Sequence, residues 1–130
     1  MTFEIDFHTH SIASGHAFNT IFEMARYASE IGIKVIAVTD HGPTYGAPAN
    51  AYYFGNMHRI ADEINGVRIL KGAEVNIINA EGKLDLQDNI LSQLDFVIAS
   101  LHDNCIKPST KKDNNKALIN ALKHPFVDAL

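Results

Sequence analysis

With 130 residues, 46% hydrophobic and 20% charged, the chain is long enough for one globular domain with its own core and too apolar for a disordered one. A formal charge of −4 and a pI near 5.9 argue against adhesion to nucleic acid or to an anionic membrane surface. An anionic substrate would need positive charge supplied locally, as bound divalent cations can do.

Cys105 is the single cysteine, which excludes an intrachain disulfide and points to a reducing compartment. The opening stretch Met1 to Asp6 has neither a basic leader region nor a long apolar one, and no run of about 18 apolar residues occurs. The expectation is a cytoplasmic chain that does not span a membrane.

In chain order, a first strand is predicted over Phe3 to Phe7, stopping at His8-Thr9-His10. After a loop rich in Gly, Ser and Ala, Thr20 and Glu23 form a capping box for a helix running to about Ile31, with Gly32 at its C-terminal end. Lys34 to Thr39 is nearly all Val, Ile and Ala, as suits a parallel strand buried on both faces, and it leads into Asp40-His41-Gly42-Pro43. The stretch Pro43 to Asn56 reads as a long functional loop, followed by a helix from about Met57 to Ile64. A third strand covers Val67 to Ala73 and ends at Glu74, with Val75 to Ile78 as a candidate extension. A Glu81-Gly82 turn and a short helical piece around Gln87 to Leu94 come next. The fourth strand, Asp95 to Ser100, leads into His102, and a helix from about Asn114 to Lys123 precedes a fifth apolar run at Phe126. Alternating strands and helices predict an α/β fold.

Successive strands thus finish at residues of metal-ligand type: His8 and His10, His41, Glu74, and His102. In parallel α/β folds the loops at the carboxyl ends of strands converge on one face, so residues distant in sequence can share a site there. Two rises of about 3.3 Å separate the members of His8-Thr9-His10 and leave both rings on one side of the strand, with Asp6 expected on the same face. His16, in the following loop, is a further candidate. Imidazole and carboxylate ligands suit zinc, and also manganese or iron(II); with one cysteine, a thiolate-rich structural zinc site is excluded. Asp6 and Asp40 are candidates for orienting ligating imidazoles, with strand-end capping the alternative. Tyr52, Tyr53 and Phe54 either wall a pocket or pack over the rim. His58 and His124 read as ordinary helix-associated histidines, and Cys105 as a small buried thiol.

Asp6-Phe7-His8-Thr9-His10-Ser11, Ala13-Ser14-Gly15-His16, Thr39-Asp40-His41-Gly42 and Ala99-Ser100-Leu101-His102 resemble the PHP family, named for polymerase and histidinol phosphatase. The likeness extends through Tyr52-Tyr53-Phe54-Gly55-Asn56 and Glu63-Ile64-Asn65-Gly66, and is to the small stand-alone phosphatase branch. It implies the N-terminal portion of a distorted, TIM-like (β/α)7 barrel with four to five parallel strands, residues 1–130 forming a partial PHP domain. It further implies up to three divalent ions: one on His8, His10 and Glu74, a second on Glu74 and His102, a third on His16 and His41. Glu74 would bridge two of them. The implied activity is hydrolysis of a small phosphorylated substrate by a metal-activated hydroxide, with no residue named as general acid. Family members continue beyond the position matching Leu130 into a Gly-His-Pro type segment and an Asp-x-His motif that complete the metal sites. A non-catalytic fragment with incomplete sites, self-associating through an apolar barrel edge at Val97 or Phe126, is therefore the rival reading. A proofreading nuclease is a third, opposed by the acidic balance.

Overall fold

The structure, a computed structural model, describes residues 3–107 and 109–130; Met1 and Thr2, part of the stretch read as leader-free, and Pro108 lie outside the described residues. Five strands are present, β1 Ile5–Thr9, β2 Val35–Val38, β3 Glu63–Ile64, β4 Val67–Asn76 and β5 Phe96–Ser100, with helices α1 Ile21–Glu30, α2 Ala51–Gly55, α3 Asp88–Leu91 and α4 Lys111–Leu122. β1, β2, β4 and β5 run parallel in that spatial order. β2 pairs with the first half of β4, from Val35↔Arg68 to Val38↔Lys71, and β5 with the second half, from Gly72↔Phe96 to Asn76↔Ser100.

The sheet is curled into a half-barrel with helices alternating between its strands. Three strand spacings of about 4.8 Å would put β1 and β5 roughly 14 Å apart in a flat sheet. Yet the rings of Phe7 on β1 and Phe96 on β5 lie 5.1 Å apart. α1 forms where expected: the Thr20 side chain accepts from the Glu23 backbone N–H, the Glu23 side chain accepts from Thr20, and Gly32 turns the chain at φ 87°. Its small buried residues Ala25 and Ala28 join a core with Ile36, Val38, Ile69 and Val75.

The structure departs from the expected elements in two places. No helix forms over Met57 to Ile64. Asn50 caps the earlier helix α2 by accepting from the Tyr52 and Tyr53 N–H groups, Met57–Arg59 is a single 3-10 turn, and Glu63–Ile64 is a strand antiparallel to β4. The cause is the Asn65-Gly66 pair: both residues have positive φ, 52° and 76°, which makes a two-residue turn whose twist matches a hairpin. The candidate extension of the strand carrying Glu74 does form, as far as Asn76, because β5 pairs with β4 up to Asn76↔Ser100. Finally, Phe126 lies in a turn, and the chain pairs with β5 further on, through the parallel bridge Ile98↔Ala129. Val97 is not an open edge: its N–H donates to Asp128 Oδ2 at 2.9 Å, and its carbonyl accepts from the Asp128 N–H.

Gly66 and Gly55 offer a controlled comparison, because a Cβ at either would meet no atom within 4 Å. Gly66→Ala should destabilise the chain by about 1–2 kcal/mol through left-handed strain alone, whereas Gly55→Ala should be neutral or stabilising by up to about 1 kcal/mol; denaturant unfolding of the two variants measures the difference.

Candidate metal centre

Four strands, β1, β2, β4 and β5, and the loop after β1 deliver six side chains to one mouth of the half-barrel. β1 carries His8 and leads into His10. His41 follows β2 and makes a parallel bridge with Glu74, which lies in β4, and His102 follows β5. Ser11 then caps the 3-10 turn Ile12–Ser14, and Gly15 at φ 76° swings the chain so that His16 returns over the mouth.

Glu74 is the centre of the cluster. It is 4% exposed, and its Oε2 lies 2.9 Å from His41 Nδ1 and 3.3 Å from both His8 Nε2 and His10 Nε2. Its other oxygen, Oε1, is 3.5 Å from His102 Nε2. The His8 and His10 Nε2 atoms face each other at 3.1 Å. Glu74 Oε2 and His41 Nδ1 are buried atoms without a hydrogen bond of acceptable geometry. Ligand atoms converge in three groups: His8, His10 and Glu74; His41, Glu74 and His102; and His10, His16 and His41, each within 4.8 Å of one another. Ring nitrogens that face one carboxylate oxygen and each other at such distances, with orphaned atoms among them, fit one or more divalent cations better than protons.

The groups differ from the expected sets by sharing. His10 belongs to two groups and His41 to two, so the groups overlap. Asp6 does not join them. A register shift between Asp6 and Thr9 breaks the two-residue alternation of β1, and Asp6 lines a groove against α1 with Met24 and Ala28 while accepting from the His8 backbone N–H. Asp40 touches no imidazole either. Fully buried, it accepts from the Ser11 N–H at 2.7 Å, the Ser11 hydroxyl at 2.7 Å, the Ser14 hydroxyl at 2.6 Å and the Tyr53 hydroxyl at 2.6 Å. Of the aromatic cluster, Phe54 is core, Tyr53 is anchored on Asp40, and Tyr52 is 82% exposed.

Sequence reasoning missed four neighbours of the site. Tyr45 stacks on His41 with centroids 3.7 Å apart and meets His102 edge-on at 4.9 Å. Ser14 Oγ is 2.8 Å from His10 Nδ1, and Asn76 Oδ1 is 2.7 Å from His102 Nδ1. Asp85 accepts from the Asn76 side chain at 2.6 Å, from its backbone N–H and from that of Thr44. Only Gly42 leaves room for this carboxylate, since a Cβ there would sit 2.4 Å from Asp85 Oδ1. His58 and His124 lie apart, bonded to the Gly55 carbonyl and paired with Asp88. Burial and the charge of Asp85 push the Cys105 thiol up to about 11, which disqualifies it as a ready thiolate.

Burial pushes the Glu74 carboxyl up, but polar contacts from His10 and Ser100 and the nearby His41 and His8 rings outweigh it and bring it down to about 2. Burial lowers His41 from 6.5 to about 4, against the pull of Glu74 and with help from His10, His102 and His16. Both folded values lie below the unfolded ones, so both groups contribute stability that is complete above about pH 6.5 and lost as pH falls, first through His41 and then through Glu74. Thermal unfolding in the presence of a chelator should therefore show a melting temperature that declines between pH 6.5 and 4, and His41→Asn should flatten that limb.

Residues 6–126 match the PHP domain. The chain is 52% identical over its full length to a probable phosphatase of Acetivibrio thermocellus, of which it covers 54%. It is 54% identical over 97% of its length to one of Caldanaerobacter subterraneus, covering 50% of that protein, and 46% identical over its full length to one of Clostridium acetobutylicum, covering 53%. It thus spans about half the length of the curated relatives it matches. No helix among the described residues is long and apolar enough to cross a membrane. By the extent of the domain match, this chain belongs to the PHP family.

Proposed function

We propose that this chain carries the metal-binding part of a phosphoesterase that hydrolyses a small phosphorylated substrate, and that Glu74, His8, His10, His16, His41 and His102 would hold its divalent ions. The single observation that carries the reading is the buried Glu74 Oε2, without a hydrogen bond, facing ring nitrogens of His8, His10 and His41 at 2.9–3.3 Å. The names of its relatives, probable phosphatases, agree with it. The all-nitrogen and oxygen donor set favours zinc, with manganese or iron(II) as alternatives.

Bound there, divalent ions would supply activation of water near neutral pH and neutralisation of phosphoryl charge. The protein's own residues perform the remaining tasks. Glu74, together with the neutral imidazole of His41, offers a lone-pair surface that needs no proton removed at pH 7. Tyr45, stacked flat on His41, shields that ring from water and fixes its plane. Beside His16 a groove of about 420 Å³ opens between Gly15, Tyr45, Gly46 and Pro48, and its position gives a small phosphate ester access to the cluster. With a net charge of −4 on the chain, the ions are also what draws an anionic substrate in.

Elemental analysis of the purified chain, with turnover of a generic phosphomonoester after metal loading, tests the reading. Bound metal is expected, reduced at least about tenfold in affinity by His8→Ala and unchanged by His58→Ala, with activity following the same order. Equal metal content and turnover in the two variants would reject the assignment. Metal bound without turnover favours the rival, a non-catalytic PHP fragment with incomplete sites, and cleavage of single-stranded DNA favours a nuclease. Self-association belongs to the same rival reading. Its candidate surface is the pair Ile5 and Phe7 on β1, 45% and 47% exposed, rather than Val97.

A further inference from the structure

We infer that Ser14 and Asn76 are positioning residues that hold His10 and His102 in the tautomer with Nδ1 protonated, Ser14 anchored on the buried Asp40 carboxylate and Asn76 on the half-buried Asp85 carboxylate, so that both Nε2 lone pairs face Glu74. The metal-binding consequence rests on the function proposed above; the tautomers themselves do not.

The assignment follows from counting hydrogens. Four donors converge on the Asp40 carboxylate, from the Ser11 N–H and the hydroxyls of Ser11, Ser14 and Tyr53. At 2.6 Å from Asp40 Oδ1, the Ser14 oxygen must direct its only hydrogen there, since two lone pairs at that distance would repel. Ser14 Oγ is then an acceptor toward everything else it touches. It receives the His41 backbone N–H at 3.1 Å, and the remaining contact at 2.8 Å requires a hydrogen on His10 Nδ1. In the neutral ring His10 Nε2 is then left bare, 3.3 Å from Glu74 Oε2, a contact between lone pairs that calls for a cation.

The second chain has the same logic with an amide in place of the hydroxyl. Asn76 Nδ2 lies 2.6 Å from Asp85 Oδ2 and 3.1 Å from the Gly42 carbonyl, both pure acceptors, so the NH2 group must be on that side. Its Oδ1 therefore faces His102 Nδ1 at 2.7 Å and can only accept, which places the proton on Nδ1 and leaves Nε2 bare, 3.5 Å from Glu74 Oε1. Asn76 is fully buried and Ser14 2% exposed, so water does not compete for either role. An imidazole that donates from one nitrogen to a carboxylate-backed partner is a more basic ligand at the other. Here the carboxylates act through one intervening side chain.

Imidazole nitrogen NMR of the metal-free full chain near pH 8, about where neutral rings predominate, reads the tautomers directly. Both His10 and His102 are expected with Nδ1 protonated. Ser14→Ala should release the His10 signal alone and Asn76→Ala the His102 signal alone. Each should weaken zinc binding about 10–100-fold in chelator competition, and Ser14→Thr, which keeps the hydroxyl, should restore both readouts. The wild-type spectrum decides the tautomers even if a variant proves unstable: a proton on Nε2 of either ring overturns the inference, as does Ser14→Ala with unaltered tautomer and zinc affinity. Wild-type chain with both rings as expected but no zinc uptake upholds the relays and sinks the metal reading, while zinc uptake with Nε2 protonated does the reverse.

Discussion

The architecture is organised around a carboxylate taken out of water without a basic partner. Among the described residues the ion-pair neighbours of Glu74 are all histidines, and none is a lysine or arginine. Burying such a charge carries a desolvation penalty, which contacts with His10, Ser100, His41 and His8 outweigh. That penalty is tolerable where the surrounding groups are lone-pair donors collected for a cation, and it makes the position of every strand around Glu74 consequential. The parallel bridge between His41 and Glu74 sets the end of β2 beside the middle of β4, and the pairing of β4 with β5 up to Asn76 and Ser100 delivers His102 to the same level.

Two other carboxylates, the buried Asp40 and the half-buried Asp85, stiffen the rim. Asp40 gathers the turn after β1 and the helix α2 onto the end of β2 through Ser11, Ser14 and Tyr53. Asp85 gathers the Gly42-Pro43-Thr44 segment onto the end of β4 through Thr44 and Asn76. Burial and the neighbouring Asp40 charge push the Tyr53 hydroxyl well above the usual phenol range, so it stays a donor throughout the physiological range. A fully satisfied polar network of this kind is rigid, and rigidity is what a site built on loops requires.

Much of this was legible before the fold was known. Five of the six candidate ligands stand near or just beyond strand ends, with His16 in the loop after β1, and a β-branched run stopping at a histidine is a pattern that a sequence displays. The capping box of α1 was equally visible, because its two residues are three apart in the chain. Ser14, Asn76 and Asp85 were not, since nothing in their local sequence separates them from ordinary loop and strand polar residues. The hairpin at Asn65-Gly66 was legible in principle, and was obscured by a helical pattern read through Met57 to Ile64.

By itself, then, the sequence determined which segments become strands and helices and which ligand-type side chains sit at their ends, because those depend on periodicity, caps and β-branching along a few neighbouring residues. Tertiary structure alone decided which ligands share a position and which hydrogen bonds orient them. The register shift in β1 left Asp6 outside the ligand groups, and the curl of the sheet brought His10 near both His16 and Glu74. Asp40 and Asp85 found partners 26–29 and 9 residues distant among those that set the rings. Such relations depend on register and curvature between strands, which no local window of the chain encodes.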